Sequence, residues 1–297
     1  MAQAHILVGP SAGTANPSIR RIGPADLIDA LAKGLKDFSE MPSHALFLCV
    51  IYPVIGMVLA GLTLGFTIVP LLFPLAAGFA LIGPVAAIGL YELSRRREAG
   101  VPASATDAID VVHSPSIGAI VALGLMLTAI FLIWVAVANA IYVANFGYAT
   151  PTSLTQFVQD VLFTPAGWKL ILIGNAVGFL FAVLVLTISV VSFPLLLDRD
   201  VGAAVALLTS ARAVAANPVP IALWGLIVAG LLFLGALPFF IGLAVVLPVL
   251  GHSTWHLYRK LVEPDPNPHA DYKPRPREPR YAADFPVSLF PWARNRK

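Results

Sequence analysis

Between Ala45 and Tyr91 the chain carries no charged residue, and this stretch fixes the solvent in which it can fold. As one helix it would run about 70 Å, more than twice the roughly 30 Å of hydrocarbon in a bilayer. It must therefore double back, and Gly61-Leu-Thr-Leu-Gly65 supplies a turn. Val219 to Tyr258 is also free of charge; at about 60 Å it again needs two passes, with Gly235-Ala-Leu-Pro238 as the turn. Apolar runs at 117–143 and 168–192 fit one pass each. The expected fold is an all-α membrane protein, a bundle of six transmembrane helices at 44–62, 66–91, 117–143, 168–192, 219–235 and 237–258.

Composition agrees. Of 297 residues, 12% are charged and 58% hydrophobic, and the mean hydropathy is +0.83, whereas a soluble domain carries about 25% charged residues. This argues against a water-soluble enzyme, a disordered chain and a disulfide scaffold. Cys49 is the only cysteine, which rules out an intramolecular disulfide or a site of paired thiolates. The net charge of +3 is too small to imply nucleic acid, and the basic residues flank apolar runs as topology signals do.

Charge also tests the count. With six passes and a cytoplasmic N-terminus, only Lys169 among the Lys and Arg residues and only Asp160 among the acidic ones fall outside. That is a strong positive-inside pattern. It places both termini on the cytoplasmic side. Residues 1–20 read as a flexible leader, 21–262 as the transmembrane domain and 263–297 as a Pro-rich basic cytoplasmic tail, whose composition is that of a disordered segment.

Residues 24–40 read as an amphipathic helix opened by Pro24 and ended before Pro42. Leu27, Ile28, Leu31, Leu35 and Phe38 form its apolar stripe, and it lies either flat on the membrane interface or packed on its own bundle. A second such helix is expected at 153–163 on the outer face, capped by Thr152 or Ser153.

The chain also echoes itself. Pro74, Gly78, Pro84, Leu93, Arg95 and Arg96 match Pro238, Gly242, Pro248, Leu257, Arg259 and Lys260 at one constant offset, with Tyr91 opposite Trp255. Asp26-Leu-Ile-Asp29 is echoed by Asp107-Ala-Ile-Asp110. The implied unit is a surface helix, a pass out and a pass back, in parallel copies at 24–97, 104–198 and 199–262. Prolines 70, 74, 84 and 248 remove backbone donors, so spans two and six are expected to be kinked and buried, which favours packing over a transport path.

No ionisable residue lies at mid-membrane. Glu92 is expected to pair with Arg95 and Arg96. The buried polar candidates are Asn139 and Asn175, placed to hydrogen-bond across spans three and four for about 0.6–2 kcal/mol. Of the histidines, His44, His113, His252 and His256 all project near one interface, and His252 and His256 share a helix face one turn apart; interfacial hydrogen bonding accounts for them better than haem or metal. Phosphate-loop, nucleophile-elbow and zinc-protease motifs are absent from the sequence, so no catalytic residue, cofactor or metal is expected.

Arg21-Ile-Gly-Pro-Ala-Asp26-Leu with its Gly34-Leu-Lys-Asp37-Phe continuation, Leu48-Cys-Val-Ile-Tyr52-Pro53-Val-Ile-Gly56, and Gly78-Phe-Ala-Leu-Ile-Gly-Pro84 running into Gly89-Leu-Tyr-Glu92-Leu-Ser-Arg-Arg-Arg97 resemble an uncharacterised family of multi-pass bacterial inner-membrane proteins, the domain of unknown function 2189. The resemblance covers about residues 20–262 and implies membrane insertion without an established activity. Some members are labelled cytochrome c oxidase subunit I. An oxidase core needs several histidines deep in the membrane to hold haem and copper, and this sequence has none there. The expected role is a non-catalytic accessory, assembly or scaffold protein. Its partners are the lipid bilayer and either a membrane protein or a second copy. The alternatives are a transporter or channel for a neutral or lipid-like solute, and a subunit associated with a respiratory oxidase.

Overall fold

The computed structural model describes residues 17–41, 69–148, 151, 153–238 and 241–264. The expected span 44–62, most of the leader and nearly all of the tail lie outside the described residues. The described chain is helical; its only β pairing is one isolated antiparallel bridge, Ile19 to Val262.

The first helix, α1, spans Pro24–Glu40, the range that Pro24 and Pro42 delimit in the sequence. Proline at the first helical position costs no hydrogen bond, and Asp26 Oδ2 accepts from the Gly23 backbone N–H at 2.9 Å. Its buried face is Leu27, Ala30, Gly34 and Asp37, not the large apolar stripe. Ile28 and Leu35 are 68% and 55% exposed. The helix thus packs on its own bundle through its small residues and leaves an apolar edge outward. Close approach between backbones is the reason: a Cβ on Gly34 would stand 2.0 Å from the Ser253 hydroxyl.

Where one span over 66–91 is expected, the described residues form two helices, α2 (Leu72–Ala86) and α3 (Ile88–Glu98). They join at Ala87, three residues after Pro84, where the helix expected to kink is interrupted; the helix Leu243–Leu261, also expected to kink, runs on through Pro248. A 3₁₀ helix, Ala105–His113, follows. With three residues per turn, side chains at i and i+3 eclipse, which gives it three distinct faces. Asp107 and Asp110 make the ionic face, Ala108 and Val111 the buried one, and Ile109 and Val112 an exposed apolar one.

Then come α4 (Ile117–Phe146), α5 (Leu154–Phe163) and α6 (Pro165–Ser189). Ser153 caps α5, its hydroxyl accepting from Gln156 N–H at 3.1 Å. Thr164 caps α6, accepting from Gly167 N–H at 3.0 Å. The short α7 (Ser192–Asp198) continues α6 after a break. The remaining helices are α8 (Ala203–Ala216), α9 (Pro218–Ala236) and α10 (Leu243–Leu261).

Among the described residues, three stretches are long and apolar enough to cross a membrane: Ile117–Phe146, Pro165–Asp198 and Pro218–Ala236. They correspond to the expected spans three, four and five. The expected sixth span starts late, at Leu243, because Gly235 and Gly242 meet there: a Cβ on Gly242 would stand 2.9 Å from the Gly235 Cα. Trp134 of α4 ties the upper bundle together. A Cβ on Gly78 of α2 would meet the indole at 2.9 Å and one on Gly178 of α6 at 3.0 Å, and the indole N–H donates to the Pro74 carbonyl at 2.9 Å.

Surface helices sit on the returning helices. The 3₁₀ helix packs on α3, α8 on α6 and α7, and α1 on α10. The buried positions Leu27, Ala30, Gly34, Asp37 and Met41 are matched at one constant offset by Ala203, Ala206, Ser210, Ala213 and Asn217. Each stripe is followed by a proline, Pro42 or Pro218.

Candidate functional site

The charged ends of α3, α7 and α10 converge with α1 and the 3₁₀ helix into a polar layer. At its centre Asp37 of α1 meets Ser94 of α3 and two histidines of α10. The Ser94 hydroxyl donates to Asp37 Oδ2 at 2.7 Å and lies 2.7 Å from His252 Nδ1. His256 Nε2 donates to the same carboxylate oxygen at 2.8 Å, and Arg97 reaches the other oxygen at 3.1 Å.

Proton counting fixes the roles. A carboxylate only accepts, and a hydroxyl carries one proton. With that proton directed to Asp37, His252 Nδ1 must be the donor to Ser94. Its Nε2 is the buried side-chain polar atom that makes no hydrogen bond of ordinary geometry among the described residues. Burial pushes the Asp37 carboxyl upward, but the hydrogen bonds from His256 and Ser94 outweigh it and hold the group below the usual carboxylate range. The cluster can hold charge and share a proton along one line of groups. Among the described residues no set of three or more His, Cys, Asp or Glu side chains could hold a metal ion.

Around this centre lies a ring of ion pairs. Glu92, fully buried, receives Arg95 at 2.8 Å and Arg96 at 2.7 Å, the pairing expected from their spacing. Arg96 continues to Asp107 and Asp110, each at 2.9 Å. On α10, Lys260 reaches Asp26 at 3.0 Å and Asp29 at 2.9 Å. The two Asp-x-x-Asp echoes of the sequence are thus gripped by the two cations that share one register. Asp107 also accepts from the Ser104 backbone N–H at 2.6 Å, as Asp26 does from that of Gly23. Trp255 Nε1 and Arg259 bind Glu98 at 2.9 and 3.0 Å, and the Tyr258 hydroxyl donates to Asp198 at 2.6 Å, which joins α3, α7 and α10.

The polar residues expected inside the bundle are elsewhere. Asn139 and Asn175 are both exposed, and the buried contact expected between them is not formed. The phase of α4 and α6 turns both outward, and the Asn175 amide donates back to the Ile171 carbonyl of its own helix at 2.7 Å. Thr128, Thr187 and Ser189 are likewise bonded to carbonyls one turn earlier. His113 is exposed, and His44 lies outside the described residues. Sequence reasoning found His252 and His256 on one face and missed their partners. The signal available was Asp37, a charge lying on the same stripe as Leu27, Ala30 and Gly34.

Residues 71–198 match the family described as Predicted integral membrane protein (DUF2189). No curated protein and no solved structure matches the chain.

Proposed function

We propose that this integral membrane protein crosses the bacterial inner membrane six times, as three parallel helix–out–back units, and serves as a non-catalytic accessory, assembly or scaffold partner of other membrane components. The sequence spacing and the surface helices support the unit reading. Each surface helix rests on the returning helix of the unit before it, and α1 on α10 closes the ring. The pairing of Ile19 with Val262 supports an even number of passes, because residues in one bridge lie on one side of a membrane. The distribution of Lys and Arg supports a cytoplasmic location for both ends.

The accessory role rests on one observation. The charged side chains of the polar layer are spent on one another, joining α1, the 3₁₀ helix, α3, α7 and α10, while only 17% of the apolar stretch within Pro218–Ala236 is buried. Val219, Leu226, Phe233 and Leu234 of α9 face outward. Such a molecule offers a rigid end and long apolar faces to neighbours. Purification in mild detergent from native membranes, with cross-linking before extraction, should yield a membrane-protein partner in constant ratio. Recovery as a lone monomer from membranes cross-linked to completion would overturn the role.

A further inference from the structure

A cleft of about 420 Å³ lies between α2, α3, the 3₁₀ helix and the first turns of α4. We infer that it holds one acyl chain of a membrane lipid, from the leaflet on the side of the ion pairs. This needs only that Ile117–Phe146 lies in the bilayer, and is independent of the accessory role.

Chemistry identifies the occupant as apolar. Thr128 is the one side chain in the lining with a hydrogen-bonding group, and its hydroxyl is already given to the Gly124 carbonyl at 2.9 Å. A polar ligand would lose its water and find no side-chain partner. Gly124 makes room on α4, where a Cβ would meet only Val85, at 3.7 Å, while Gly89 lets the 3₁₀ helix close the end of the cleft against α3, since a Cβ there would stand 3.0 Å from that of Ala108.

Length identifies the occupant as a chain from one leaflet. The α4 part of the lining runs from Ile117, the first residue of the span, to Thr128. At about 1.5 Å per residue that is roughly 16 Å, half of the roughly 30 Å hydrocarbon thickness. The cleft is also continuous with the lipid-facing surface, since Val121 and Leu125 on one rim and Ile109 and Val112 on the other are all exposed. The ionic face of the 3₁₀ helix is held by Arg96, so Ile109 and Val112 are presented at a fixed height. An acyl chain seated below them covers apolar surface that the protein itself leaves open.

The test uses the full chain in vesicles containing a phosphatidylethanolamine with a diazirine halfway along one acyl chain. Photolabelling should concentrate on the 3₁₀ helix and the first turns of α4, above the level on the outward face of α6 at Phe179 and Leu180. Gly124→Phe should cut that labelling by about fivefold, equivalent to about 1 kcal/mol. Gly124→Ala is the folding control and should keep it, because its Cβ would make ordinary contact with Val85 at 3.7 Å. Should Gly124→Phe fail to accumulate, Val121→Trp at the exposed rim replaces it with the same expectation. Labelling no higher than on α6, labelling insensitive to these substitutions, or protein–protein cross-links at Ile109 in place of lipid would each overturn the assignment.

Discussion

Gly34 and Ser253 sit so close that a methyl group on the glycine would stand 2.0 Å from the serine hydroxyl and 2.6 Å from its backbone nitrogen. The near atoms include backbone, which cannot rotate aside. Gly34→Ala should therefore lift α1 from α10 and destabilise the protein by about 1–3 kcal/mol, the usual cost of overpacking. Gly230→Ala, where a Cβ meets nothing within 4 Å, should leave stability unchanged or slightly raise it. Thermal unfolding in one detergent compares the two, and equal midpoints would remove the close approach from the account.

The two equivalent cations should differ sharply when removed. Arg96 is 6% exposed and its partner Glu92 is 0% exposed, so Arg96→Met leaves a buried carboxylate half-paired and strips Asp107 and Asp110 of their shared cation. Breaking a buried pair from one side costs about 3–5 kcal/mol. Lys260 pairs with Asp26 and Asp29 at the surface, where an ion pair contributes about 0–1 kcal/mol. Lys260→Met should thus barely move the unfolding midpoint while Arg96→Met lowers it strongly. Similar losses in both would mean that the register they share does not carry the difference in burial.

Acid should weaken the polar layer in a defined direction. Asp29 is lowered to about 2 by hydrogen bonds from Lys33 and then Lys260, and Asp37 is lowered despite burial by His256 and Ser94. A depressed native pKa means that the unfolded chain binds the proton more tightly, so stability rises with pH across the window. The contribution is complete above the ordinary carboxylate value, about 3.9, and is lost as pH falls through the native values below it. Unfolding midpoints measured from pH 5 to pH 2 should fall, and Asp37→Asn should flatten part of that slope. A slope unchanged in the variant would assign the acid sensitivity to other carboxylates.

What could be read beforehand divides along physical lines. The limits of α1 were legible because Pro24 and Pro42 act on the backbone locally, whatever surrounds them. The Glu92–Arg95–Arg96 pairing was legible because i,i+3 and i,i+4 neighbours meet on any helix. The face that α1 buries was not. Hydrophobicity points to Ile28 and Leu35, but helices approach most closely through small residues, and Ala30 and Gly34 carry little hydrophobic signal. Asn139 and Asn175 failed for a related reason: depth follows from position along a helix, whereas burial needs its rotation, which the neighbours set. The link from Asp37 through Ser94 to His252 joins three helices far apart in sequence, so no local spacing announces it.

The return of the chain to its starting point can be tested covalently. Ile19 and Val262 form an antiparallel bridge, flanked by Arg20 N–H to the Leu261 carbonyl at 2.8 Å and Glu263 N–H to the Ser18 carbonyl at 3.1 Å. Opposed residues in such a pair lie about 4.5–5.5 Å apart between Cα atoms, within the range that a disulfide spans. Ile19→Cys with Val262→Cys, in a Cys49→Ser background that removes the native thiol, should close on mild oxidation and shift the unreduced gel mobility, with reductant reversing it. Each single cysteine alone should not. Reporter fusions at residues 1 and 297 should report one compartment, since a closed bridge and opposite faces are mutually exclusive. Absence of the cross-link together with reporters on opposite faces would require an odd number of passes, and the ring in which α10 carries α1 could not exist.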